Sequence, residues 1–154
     1  MRKTNPPNEA ARKAFQRSAT NQTGSWTRIA TRLGAFHVAA HDGAVVQTAL
    51  PATDTARFLD ELSTRYPHVA FHEDAGDPVL RQAAQQLAEY AQGARRDFDV
   101  PLRLEGTAFQ RKVWMALADI PYGETRSYHE VAQAIGRPGA SRAVGQANHQ
   151  NPVA

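Results

Sequence analysis

Hydrophobic positions change their period several times along this chain. Leu33-Gly-Ala-Phe-His-Val-Ala-Ala40 and Ala44-Val-Val-Gln-Thr-Ala-Leu50 are two β-prone runs on either side of His41-Asp42-Gly43. An Asp-Gly step between such runs predicts a hairpin, because residues that tolerate positive φ close a tight turn with the twist the strands need. Ala56, Leu59, Leu62 and Tyr66 then recur at helical spacing behind Thr53, a residue type that caps helices. Val69-Ala-Phe71 reads as a short strand. Asp77-Pro78 sets a capping carboxylate before a proline at the first helical position. Leu80, Ala83, Ala84, Leu87 and Ala91 line one face of the helix that follows, and Gly93 stops it. Phe98, Val100, Leu102 and Leu104 alternate, so residues 97–104 read as a half-buried strand or an extended linker.

From Glu105 onward the pattern is helical. Thr107 with Gln110, and Ser127 with Glu130, fit the capping box, in which hydroxyl and side chain satisfy orphan backbone donors reciprocally. The first box opens a helix carrying Phe109, Val113, Trp114, Leu117 and Ile120, ended by Pro121 and Gly123. The second opens a short helix with Val131, Ala132 and Ile135, closed by Gly136. After Arg137-Pro138-Gly139 a third helix runs from about Ala140 to His149. Two short helices joined by a Gly/Pro turn make a helix-turn-helix. The chain thus divides into a basic, disordered tail over 1–28, in which Glu9 to Arg17 could form a short helix, an α/β unit over 29–104, and a helical unit over 105–154. The overall class is α+β. No internal repeat is visible.

Composition narrows the function. An apolar content of 42% and a charged content of 21% are ordinary for a globular protein. No apolar run approaches the roughly 18–20 residues that cross a bilayer. The basic start, Met1-Arg-Lys, is not followed by the apolar segment of a secretory signal. A cytoplasmic protein with no membrane partner is expected. There is no cysteine, hence no disulfide, thiolate metal ligand or thiol nucleophile. Of the net charge of +3, the excess lies in residues 1–33, with seven Lys/Arg against Glu9. Such an arm can add non-specific phosphate affinity, or can simply be solvated.

The third helix, Ala140-Ser-Arg-Ala-Val-Gly-Gln-Ala-Asn148, is small and nearly uncharged apart from Arg142. Helices that read the major groove present Arg, Lys, Asn or Gln to base edges. Ala140, Ser141, Ala143 and Gly145 instead suit close approach to a minor groove, where little sequence information exists. Tight helix–helix packing explains the same small residues, and both readings stay open. Phe109 and Trp114 read as core. His68, His72, Glu73 and Asp74 straddle a strand and do not make a metal site. Ser127, His129 and Glu130 have the residue types of a hydrolase triad, but adjacency in sequence does not supply its geometry. With no phosphate-cradling glycine loop, neither metal nor cofactor is expected.

Thr107-Ala-Phe-Gln-Arg-Lys-Val-Trp114, Ile120-Pro-Tyr-Gly-Glu-Thr-Arg-Ser-Tyr128, Ile135-Gly-Arg-Pro138, Ser141-Arg-Ala-Val-Gly145 and Asn151-Pro152 together resemble the DNA-binding half of the methylated-DNA–protein-cysteine methyltransferases, the O6-alkylguanine-DNA alkyltransferases. The resemblance extends back through Phe98-Asp-Val-Pro-Leu102 and Leu87-Ala-Glu-Tyr90 to Val79, and more weakly covers Leu33 to Leu50. It implies a ribonuclease-H-like N-terminal domain and a winged-helix-like helical domain, incomplete at its C-terminus. It implies a monomer whose partner is double-stranded DNA carrying O6-alkylguanine. By resemblance Arg142 enters the base stack in place of the flipped nucleotide, Tyr128 turns the phosphate 3′ to it, and Asn151 ties the helix-turn-helix to the active-site loop. The family's reaction moves the alkyl group to a cysteine thiolate in a Pro-Cys-His-Arg motif beyond the Asn-Pro pair. The resemblance therefore predicts a chain truncated before its nucleophile, without a catalytic residue or transfer activity as it stands, and with an incomplete core under Val113, Leu117 and Ile135. The other reading is a non-enzymatic, alkyltransferase-like binder of DNA damage. A sequence-specific helix-turn-helix regulator fits less well, given the poor base-reading content of Ala140–Asn148.

Overall fold

Polar residues conceal the first strand. In the computed structural model, which describes residues 22–153, strand β1 spans Gln22–Thr31 and includes the buried Ser25 and Thr27. The boundary expected between residues 28 and 29 therefore falls inside an element, and the folded unit begins by Gln22. Alternating Thr23, Ser25 and Thr27 give no apolar signal, yet the strand pairs with β2 (Gly34–His41) from Gly24 opposite His41 to Thr31 opposite Gly34. The short helix considered over Glu9–Arg17 lies outside the described residues.

The predicted hairpin joins β2 to β3 (Ala44–Ala49), and its turn residues Asp42 and Gly43 have φ of 52° and 76°, the left-handed conformation that selects them. β1, β2 and β3 form an antiparallel meander. Strand β4 (Val69–Glu73) adds to β1 in parallel, giving the order β3-β2-β1-β4.

Neighbouring residues of a strand point to opposite faces, and each face here receives one helix. Helix α1 (Thr55–Arg65) packs Phe58 and Leu62, with Tyr66 just beyond its end, against Ala39, Val46 and Ala49. Helix α2 (Pro78–Ala91) packs Leu80 and Ala83 against Ile29, Val38, Ala40 and Val45. The cap of α1 is Asp54, whose carboxylate accepts from the Arg57 N–H at 2.9 Å, rather than the expected Thr53. Asp77 caps α2 as its sequence predicts, accepting from Val79 and Leu80 at 2.8 and 3.2 Å. His37 is buried against Phe58, with ring centroids 5.2 Å apart, and burial pushes its imidazole below the usual range.

Residues 97–104 form an extended linker with one bridge, Leu102 to Val45, rather than a full strand. The Val45 N–H donates to the Pro101 carbonyl at 2.8 Å and the Arg103 N–H donates to the Val45 carbonyl at 2.9 Å. The apolar alternation does not make one buried face: Val100 packs on the sheet core and Leu104 on the helical core, but Phe98 and Leu102 are half exposed, since a single bridge does not hold the stretch as a strand. Buried Gln86 of α2 pins the linker, donating from Nε2 to the Asp99 carboxylate and accepting the Asp99 N–H through Oε1 at 3.1 Å.

Three helices follow: α3 (Ala108–Ala118), α4 (Tyr128–Ala134) and α5 (Ser141–His149). Val113 and Trp114, Val131 and Ala132, and Val144 and Ala147 form their shared core. Both predicted capping boxes are made. The Trp114 indole N–H donates to the Ala147 carbonyl at 2.8 Å in the interior. Gly106 is required beneath that ring, since a Cβ there would lie 2.6 Å from it. Val113 is fully enclosed by these helices, so its burial needs nothing beyond them, while Leu117 and Ile135 are partly buried. Among the described residues no helix is long and apolar enough to cross a membrane.

Candidate nucleic-acid interface

Capping chemistry sets where the site begins. The Ser127 hydroxyl accepts from the Glu130 N–H at 3.2 Å, and the Glu130 carboxylate accepts from the Ser127 N–H and hydroxyl at 2.7 and 2.8 Å. These donors hold the Glu130 carboxyl below the usual range, the backbone N–H contributing most. Ser127 and Glu130 are thereby committed to the cap and are not arranged as a hydrolytic pair. The cap fixes the start of α4 and with it Tyr128, the first residue of that helix.

Tyr128 is half exposed and lies over α5. Its ring edge covers Gly145, where a Cβ would meet ring carbons at 3.0 and 3.1 Å. Its Oη accepts a hydrogen bond from Asn148 Nδ2 at 3.2 Å. Residues three apart on a helix share a face, so Gly145 and Asn148 form one seat for this side chain. Arg142, three residues before Gly145, lies on that side at the opening turn of α5. It is exposed, and its guanidinium makes no ion pair or hydrogen bond among the described residues. No side chain caps the N-terminus of α5, which leaves first-turn N–H groups for water or an anion.

The small residues of this helix divide by face. Ala143 is exposed beside Arg142 and Ser141 is half buried, whereas Ala140 packs toward the helical core and Gly145 lies under Tyr128. Tight packing thus accounts for Ala140 and Gly145, while Ala143 stays on the exposed side of the helix. Asn151 makes a local turn, its Oδ1 accepting from the Val153 N–H at 3.1 Å and its own N–H donating to the Asn148 carbonyl at 3.1 Å. The turn places buried Pro152 so that its carbonyl accepts from the Thr48 N–H of β3 at 2.8 Å, and Val153 packs on the sheet core. Sequence reasoning missed Asn148 and Thr48. Asn148 is detectable only through its three-residue spacing from Gly145, and Thr48 carries no signal of its contact.

A four-stranded sheet unit joined to a helix-turn-helix, with an exposed arginine that has no ion pair or hydrogen bond among the described residues beside a seated tyrosine, defines a two-domain protein of the helix-turn-helix class. The family models agree. That of the 6-O-methylguanine DNA methyltransferase ribonuclease-like domain matches residues 25–104, and that of the 6-O-methylguanine DNA methyltransferase DNA binding domain matches residues 108–154. The chain belongs to this family. It is 40% identical over 128 residues to the constitutive methylated-DNA–protein-cysteine methyltransferase of Bacillus subtilis, covering 83% of this chain and 73% of that protein. To the Methanosarcina acetivorans methylated-DNA–protein-cysteine methyltransferase it is 58% identical over 78 residues, 51% of this chain and 50% of that one. Among solved structures, Mycobacterium tuberculosis O6-methylguanine methyltransferase superposes with a TM-score of 0.69 at 37% identity, covering 85% of this chain and 73% of that one. Mycobacterium tuberculosis OGT in complex with DNA does so with a TM-score of 0.66 at 36% identity, covering 84% and 72%.

Proposed function

We propose that this chain docks on double-stranded DNA carrying O6-alkylguanine, approaches it from the minor groove through α5, and extrudes the damaged nucleotide from the stack. The observation that carries this reading is Arg142, exposed and without an ion pair or hydrogen bond among the described residues, at the opening turn of α5 beside a tyrosine held on the same helix. An alkyl group on a base inside a duplex is unreachable until the base rotates out, at a cost of a few kcal/mol. A guanidinium inserted into the vacated space offsets part of that cost, and the exposed Ala143 lets the backbone come close enough to deliver it. Tyr128 engages the phosphate 3′ to the target. Asn151 serves as the hinge between the helix-turn-helix and the chain that follows α5, a role supported by its turn onto β3. The relatives are named for transfer to a cysteine, and these 154 residues contain none. The proposal for this chain is therefore docking and extrusion, with alkyl transfer belonging to the family's cysteine-bearing segment. Domains are assigned as 22–104 and 105–154.

The test is binding to a duplex with one O6-methylguanine against the same duplex undamaged, by fluorescence anisotropy. Wild type is expected to prefer the damaged duplex and Arg142→Ala to lose most of that preference. Equal affinities of the two proteins for the lesion would remove the role given to this arginine.

A further inference from the structure

Tyr128 needs more than a place on α4, because a phenol can donate to or accept from its surroundings. A phosphate oxygen only accepts, so productive contact requires the phenolic hydrogen to be free. Asn148 Nδ2 donates to Tyr128 Oη at 3.2 Å, which occupies an oxygen lone pair, and the phenolic hydrogen has no acceptor among the described residues. Gly145 sets the ring's height over α5 by offering no Cβ. The Asn148 carbonyl accepts the Asn151 N–H at 3.1 Å, so one residue joins the seat of the tyrosine to the turn that docks on β3.

We propose that Asn148 is a positioning residue for DNA engagement: its side-chain amide holds Tyr128 as a hydrogen-bond donor toward a phosphate oxygen. This rests on the DNA-docking reading above. It assigns Asn148 no contact with DNA of its own. The half-buried side chain acts through Tyr128, so its effect disappears when the phenol oxygen is gone.

The test combines a DNA-free and a DNA-bound readout on the whole chain. In the free protein, Tyr128→Phe should shift the ¹⁵N–¹H resonances of the Asn148 side-chain amide. An unmoved amide overturns the proposal. With the O6-methylguanine duplex as probe, Asn148→Ala should weaken binding about threefold to tenfold, the range of a lost neutral hydrogen bond. In a Tyr128→Phe background the same change should have no further effect. Asn148→Asp, an isosteric acceptor that captures the phenolic hydrogen, should weaken binding more than alanine does. Additive effects would make Asn148 a DNA contact in its own right and overturn the proposal. So would wild-type affinity in Asn148→Ala while Tyr128→Phe binds poorly, an outcome that leaves the docking reading standing. If wild type binds no duplex, the docking reading falls and this assignment with it. Unchanged melting temperatures show that the variants are folded.

Discussion

At Gly145, helix stability and the proposed docking on DNA make opposite demands. Replacing a helical glycine by alanine favours the helix by roughly 1 kcal/mol. The new methyl would meet the Tyr128 ring at 3.0 Å, close enough to displace it by a few tenths of an ångström. Tyr128 is half exposed at the first turn of α4 and can swing outward with little loss of packing. Gly145→Ala should therefore melt at the same temperature as wild type or higher, yet bind the O6-methylguanine duplex several-fold more weakly. Lower stability with unchanged affinity would show that the glycine serves packing alone. Residues at this scale are unevenly legible in the sequence. Arg142, Tyr128 and Asn151 stand in motifs. Asn148 does not, because its role depends on a partner twenty positions away on another helix.

Among the elements, α4 depends on its cap, and the cap depends on pH. With the Glu130 carboxyl held below its usual range, its contribution is present above the unfolded value of about 4.5 and is lost as pH falls through the folded value. Glu130→Gln should flatten the acid side of the melting-temperature profile, and an unchanged profile would place the acid sensitivity elsewhere. The turn after α5 gives a second prediction. Asn151→Ala removes the acceptor for the Val153 N–H and loosens the Pro152 contact with β3. Amide exchange at Thr48 should speed up while exchange in the β1–β2 ladder stays the same; equal protection at Thr48 would show that Pro152 is held without Asn151. Caps and turns are the readable part of these elements, since Asp77, Thr107, Ser127 and Asp42-Gly43 carry their reasons locally. β1 escapes such reading because Ser25 and Thr27 are buried without being apolar. The cap of α1 falls one residue later than its sequence suggests because Thr53 and Asp54 are both able to serve.

On the scale of the whole molecule, two cores are joined along one edge of a sheet. The outer edge of β3 receives the linker at Val45 and the chain after α5 at Thr48, so both connections of the helical unit lie on the same strand. Elsewhere Tyr90 of α2 meets Phe98 of the linker and Tyr122 of the α3–α4 loop, with ring centroids 5.3 and 6.3 Å apart, and Arg96 lies 5.4 Å from the centre of the Tyr122 ring. The helical core rests on Trp114, and Trp114→Ala should cost about 3–5 kcal/mol in that unit. Chemical denaturation followed by NMR should then show the α3–α5 signals lost before those of the sheet, whereas a single common transition would mean that the two cores fold as one. These contacts between units are invisible in the sequence, which shows each element's periodicity but not its neighbours. In the proposed function this frame presents Arg142 and Tyr128 to a duplex. The most direct test places 2-aminopurine at the target position of a duplex and follows its fluorescence on binding. Wild type should raise the signal as the base leaves the stack, and Arg142→Ala at saturating protein should raise it far less. Binding by wild type without a rise, or an equal rise with the variant, would contradict base extrusion by this helix.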